Sequence, residues 1–196
     1  MNWKLLFFIC LIGFGAFQHF QKREVIHGAG EVVSDPPQQR SLDISDARNI
    51  NGYEIIPLAK FSIKARVLAS KSYHFGREAE LAPVDFALGW GAMSDEAVLN
   101  KIDISQSNRF YFWHVDEFPI PREAIETQSA NMHMIPADSL IEKRLKSVRV
   151  GQVVQINGYL VEAKASDGWR WKSSLTRNDI GNGACEVLLV KSIEVH

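Results

Sequence analysis

The chain opens on an unbroken apolar run, Leu5 to Phe17, with Trp3 and Lys4 before it and Gln18, His19 and Phe20 after it. About thirteen apolar residues match the core of a signal peptide, and about eighteen, counted over 3–20, can cross a bilayer when Trp3 and Lys4 reach its interface. Cleavage needs small residues on both sides of the cut. Gly13-Phe14-Gly15 lies inside the run, and Gly28-Ala29-Gly30 lies well beyond it. The pattern predicts an uncleaved transmembrane anchor over residues 3–20. Lys4 before the run is nearly balanced by Lys22 and Arg23 after it. A short head before a single span usually stays in the cytoplasm. The expected location is a bacterial inner membrane, crossed once, with the C-terminal domain in the periplasm.

Residues 24–48 lack a sustained apolar period. Gly28, Gly30 and the Pro36-Pro37 pair interrupt them, so they read as a flexible tether. A globular domain over 50–196 follows. Its patterning is mainly that of strands. Residues 61–69 alternate apolar and polar before turning apolar, and 86–91 form a short, glycine-broken strand. Residues 109–115 are β-rich by composition, and 153–161 make the clearest strand. Asp167-Gly168 marks a hairpin turn into Trp169-Arg170-Trp171, and residues 187–195 close the chain. Helices are few. Ser94 can cap one, Pro121 can start one, and Ser139-Leu140-Ile141-Glu142 is a capping-box pattern with Leu140, Ile141, Leu145 and Val148 on one stripe. The predicted class is α+β, mainly β. A small OB-like or related barrel with short helices fits the order of strands and helix, and a sandwich with an inserted helix remains an alternative.

Charge and cysteine content narrow the function. The chain has 22 Lys and Arg against 23 Asp and Glu. Without Lys4, Lys22 and Arg23 the domain keeps 19 against 23, a net charge of −4. That balance disfavours a nucleic-acid partner, which needs clustered Lys and Arg. Cys10 lies in the anchor, so Cys185 is the domain's only cysteine and no disulfide can form within it. No phosphate-binding glycine loop, dinucleotide fingerprint or nucleophile elbow is present. His74, His114 and His133 lack the close-spaced partners of a metal site, so neither a metal nor another cofactor is implied.

Two constellations can carry chemistry. Six residues, Trp90, Trp113, Trp169, Trp171, Arg170 and Arg177, can line a ligand face in which rings stack and arginines orient the bound group. Arg109 and Asn178 are further polar candidates. The alternative for the rings is core and hairpin packing. Cys185 and His133 can form a thiol–imidazole pair, with Asn131 or Asp179 orienting the ring. The alternative there is a small buried cysteine at the head of the closing strand.

Leu88-Gly89-Trp90-Gly91-Ala92-Met93-Ser94-Asp95, Ser129-Ala130-Asn131-Met132-His133-Met134-Ile135-Pro136 and the stretch 174–185 resemble segments of an uncharacterised bacterial family of membrane-anchored proteins. The resemblance covers most of the soluble domain and implies no activity or site residue. The expected function is a membrane-tethered envelope domain, partnered with the membrane through its N-terminal helix and binding a small ligand or an envelope protein. The alternative is a cysteine-dependent hydrolase using Cys185 and His133.

Overall fold

A computed structural model describes residues 3–21, 23–42, 46–176 and 186–196, with the first helix described by its backbone alone beyond residue 13. Cys185, Arg177, Asn178 and Asp179 lie outside the described residues. Helix α1 spans Trp3–Gln21. Among the described residues no helix is long and apolar enough to cross a membrane. Strands β1 (Gln38–Ser41), β2 (Arg48–Ile50), β3 (Tyr53–Ser72) and β4 (Val84–Gly89) follow, with the short helix α2 (Arg77–Leu81) before β4. A 3-10 turn at Gly91–Ser94 leads into α3 (Glu96–Leu99), the hairpin β5 (Asp103–Ser107) and β6 (Phe110–His114), and α4 (Arg122–Thr127). Strand β7 (Ser129–Pro136), helix α5 (Ser139–Ser147), β8 (Val153–Lys164), β9 (Arg170–Lys172) and β10 (Glu186–Val195) complete the chain. The protein is α+β and mainly β.

Five strands pair in a closed ring. β3 pairs antiparallel with β4, β4 with β7, β10 with β8 and β8 with β3, while β7 and β10 run parallel. The long β3 makes this closure possible. Its first two thirds face β8 and its last third faces β4, with register shifts at Pro57/Ala59 and Val67/Ala69 that let it bend. Alternate residues of the five strands make one apolar cluster, which includes Phe61, Ile63, Phe86, Met132, Leu160 and Leu188. Ile141, Leu145 and Val148 of α5 belong to that cluster. The cap of α5 is Asp138 rather than Ser139: its carboxylate accepts from Leu140 N and Ile141 N. Asp95, likewise, caps α3 in place of Ser94.

The 24–48 segment differs from a flexible tether. Val25 N donates to Val150 O at 2.9 Å, and His27 N donates to the Glu96 carboxylate at 3.1 Å. Gly30 N reaches Asp95, Val33 N reaches Ser94 Oγ, and the Val33 side chain is buried. β1 and β2 both pair with β3. The physical reason is the backbone: polar N–H groups, not side-chain periodicity, fasten this strap. Gly151 adjoins it at φ +84, and any Cβ there would stand 1.8 Å from Val25 O.

Two smaller apolar clusters lie outside the ring core. One joins Tyr53, Ile55, Leu81, Ile135, Val161 and Val187, with Trp169 and Trp171 packed against it. The other packs the β5–β6 hairpin through Ile104, Tyr111 and Trp113 over Ala87, Met93 and Ile125.

Candidate functional site

The β4–β7 pair is buried on both sides, and its outward face mixes apolar Ala87 and Ile135 with polar Asp85, Asn131 and His133. Asp85 of β4 stands directly opposite His133 of β7. Asp85 is 0% exposed and His133 2%. His133 Nδ1 lies 3.0 Å from Asp85 Oδ2, off the hydrogen-bonding axis. Asp85 Oδ1 accepts from Arg109 Nη1 at 2.6 Å. One carboxylate therefore faces a guanidinium on one oxygen and an imidazole on the other. Nδ1 is thus the ring nitrogen turned to the carboxylate. Among the described residues Nε2 takes no hydrogen bond. The ring of Trp171 covers His133 at 4.8 Å between centroids.

Arg109 comes from the two-residue turn joining β5 and β6. Asn108 and Arg109 take φ of 50° and 69°, the left-handed conformation this turn type requires and for which glycine is the usual second residue. The strained arginine is held from several sides. Its Nη1 also donates to Ala82 O at 2.8 Å, its own N–H donates to the Tyr73 hydroxyl at 3.0 Å, and its carbonyl accepts from Asn131 Nδ2 at 2.9 Å. The guanidinium carbon lies 3.7 Å from the Tyr73 ring centre and 5.7 Å from that of Trp171. Gln106 Nε2 in turn donates to Asn131 Oδ1 at 2.6 Å. Burial raises the pKa of the Tyr73 hydroxyl, helped by the negative charge of Asp85 and opposed by the Arg109 N–H and guanidinium.

Trp169 and Trp171 extend the site outward. Both are half-buried, with centroids 6.2 Å apart. The Asp167-Gly168 turn presents them as expected: Gly168 has φ 90°, and Trp169 N donates to Asp167. Arg77 sits 5.4 Å over Trp169 and holds the Asp167 carboxylate at 2.6 and 3.2 Å. Those bonds and the Trp169 N–H lower the Asp167 pKa. Tyr53 packs edge-on against Trp169 at 5.5 Å and donates to Glu80.

The remaining candidates do not gather here. Trp90 is 4% exposed and belongs to the ring core. Trp113 packs on the hairpin against Phe118. Arg170 donates to Glu162 on the neighbouring strand. His74 and His114 are exposed and stand apart from His133, and no metal-ligating cluster occurs among the described residues. His133 meets Asp85 rather than Asn131. Asp85 escaped sequence reasoning, although a lone carboxylate inside Val84-Asp85-Phe86-Ala87-Leu88 was a usable signal. No known protein family, curated protein or solved structure matches the chain.

Proposed function

We propose that this protein is a membrane-tethered, OB-like domain that binds a ligand or partner protein of the bacterial envelope. One observation carries the proposal: the half-exposed Trp169 and Trp171 lie over the outer face of the β4–β7 pair. The ring order, with α5 between its third and fourth strands, supports the OB-like reading. Such barrels bind ligands on the face of the second and third strands, between the two loops that flank it. Here those strands are β4 and β7. The flanking loops carry Tyr73 and Arg77 on one side and Asp167 and Trp169 on the other. The domain's net charge of −4 argues against a polyanionic ligand. The apolar run in α1 supplies the tether to the inner membrane, with the domain on the periplasmic side. The resemblance to membrane-anchored bacterial proteins agrees with this and adds no activity.

A photo-crosslinking residue at position 169 in cells tests the binding face, with position 60 as control. A discrete adduct at 169 alone is expected, and equal labelling at both positions would remove the proposal. Carbonate extraction and intact-mass measurement test the anchor: the full chain should stay with the membrane. A second reading is a cysteine hydrolase. It is favoured by the 3.0 Å approach of Asp85 to His133, which would orient the imidazole beside a thiol such as Cys185. Rapid alkylation of Cys185 by iodoacetamide, slowed by His133→Ala, would promote that reading; an inert thiol would end it.

A further inference from the structure

We infer that the pocket formed by Asp85, Tyr73, Trp171 and the Ala82 carbonyl is a recognition site for a guanidinium group, an arginine side chain of a partner, and that Arg109 is its resident occupant. The inference rests on the β4–β7 outer face being the binding face. It specifies what that face recognises and how the site is regulated.

The pocket has the chemistry a guanidinium requires. One oxygen of a fully buried carboxylate takes a charge-assisted bond at 2.6 Å, and a backbone carbonyl takes another at 2.8 Å. An aromatic ring lies 3.7 Å from the guanidinium carbon and a second ring lies 5.7 Å away, within the range of cation–π attraction. Both bonds come from the single nitrogen Nη1, so what favours a guanidinium over an ammonium is the flat group lying against the Tyr73 ring, a stacking that only a planar cation makes over its whole face. The same pattern recurs at the rim, where Arg77 lies over Trp169 and forks onto Asp167. An acidic domain also suits a cationic partner.

Arg109 reaches this pocket at a cost. It occupies a left-handed position that favours glycine, and strain of this kind persists where surrounding contacts enforce it. The hairpin that carries it is a separate two-stranded sheet, joined to the ring by side chains rather than by a strand ladder. Its tip can therefore leave without breaking the ring. An arginine offered by a partner would replace Arg109 in kind, and the freed hairpin would relax its turn.

The test is chemical rescue in the full chain. Arg109→Gly empties the pocket and suits the turn. Its Tm should rise saturably with millimolar ethylguanidinium, whereas the wild-type Tm should not. Ethylurea, of similar shape and uncharged, should give no rise, nor should ethylguanidinium with the Asp85→Asn, Arg109→Gly double variant. Equal responses to ethylguanidinium and ethylurea, or no response to either, would overturn the inference. Should Arg109→Gly not fold, tryptophan fluorescence of the wild-type chain is titrated with a short arginine peptide and its lysine counterpart. A saturable change with the arginine peptide alone supports the site, and any other result counts against it. A rescue without a crosslinked partner at position 169 would uphold the pocket while removing the binding-face proposal; a crosslink without rescue would do the reverse.

Discussion

The two sides of the β4–β7 pair are both dry, but only one of them holds ionisable groups. Inward, Val84, Phe86, Leu88, Met132 and Met134 join the ring core. Outward, Asp85 and His133 are as deeply buried, yet both are ionisable; they face each other, and Asp85 also meets Arg109 from another element. Burying a charged carboxylate is expensive unless it is paired, and replacing such pairs by apolar residues is often neutral or stabilising. The inner wall follows from the need to fold. The outer wall does not, and its polar content is better explained by use. Function is to be sought where burial and polarity coincide without a structural need.

The largest expected effect lies on the inner wall. Phe86→Ala should lower stability by about 3–5 kcal/mol, the usual range for deleting a buried ring. A thermal or denaturant melt measures it, and a loss as small as that of a surface substitution would break the contrast. Next comes Asp85→Ala. It strands Arg109 and His133 in a dry site and should cost about 3 kcal/mol. Replacing Asp85 and Arg109 together with leucine should recover most of that loss. If the double variant were as unstable as the single one, the outer wall would be structural after all.

A finer measurement separates strain from contact at the hairpin tip. Arg109→Gly and Arg109→Ala lose the same side-chain contacts, but only alanine keeps a Cβ at φ 69°. The glycine variant should be the more stable by about 1 kcal/mol. Equal melts would mean that the turn is not strained. The smallest effect is expected at Glu96, where the strap meets the ring. Burial raises its pKa, but the His27 N–H and Arg66 outweigh that and hold it below its ordinary 4.5. A depressed carboxylate adds stability that is fully present above its unfolded value and is lost as pH falls through its lower folded value. Glu96→Gln should therefore flatten the stability profile below about pH 4.5 and leave its slope near neutrality unchanged. An unchanged acid limb would show that the pair with Arg66 contributes little.

Much of the fold was legible in the chain, and two of the three misses share a cause. β8, β10 and the Asp167-Gly168 turn announce themselves because apolar alternation or turn chemistry is local. β7 does not. Asn131-Met132-His133-Met134 is buried on both faces, so no alternation marks it, and neither methionine nor asparagine is a strand former. Residues 109–115 took its place as the expected third ring strand, whereas β6, among the described residues, pairs only with β5. The site followed the same rule. The tryptophans and His133 are visible as residue types, but the carboxylate and guanidinium that organise them become neighbours only through strand register and a hairpin tip. The strap was illegible for a different reason: backbone groups fasten it, and every residue carries those.

That strap sets the reach of the domain. If α1 is held in a bilayer, a free leash of about 25 residues would let the binding face wander over a root-mean-square distance of about 27 Å. With Val25 fastened to Val150, only three residues separate the end of α1 from the body, four Cα steps or at most about 14 Å of chain. A body on so short a leash cannot search the surrounding space. Under that condition it would meet only what comes close to the lipid.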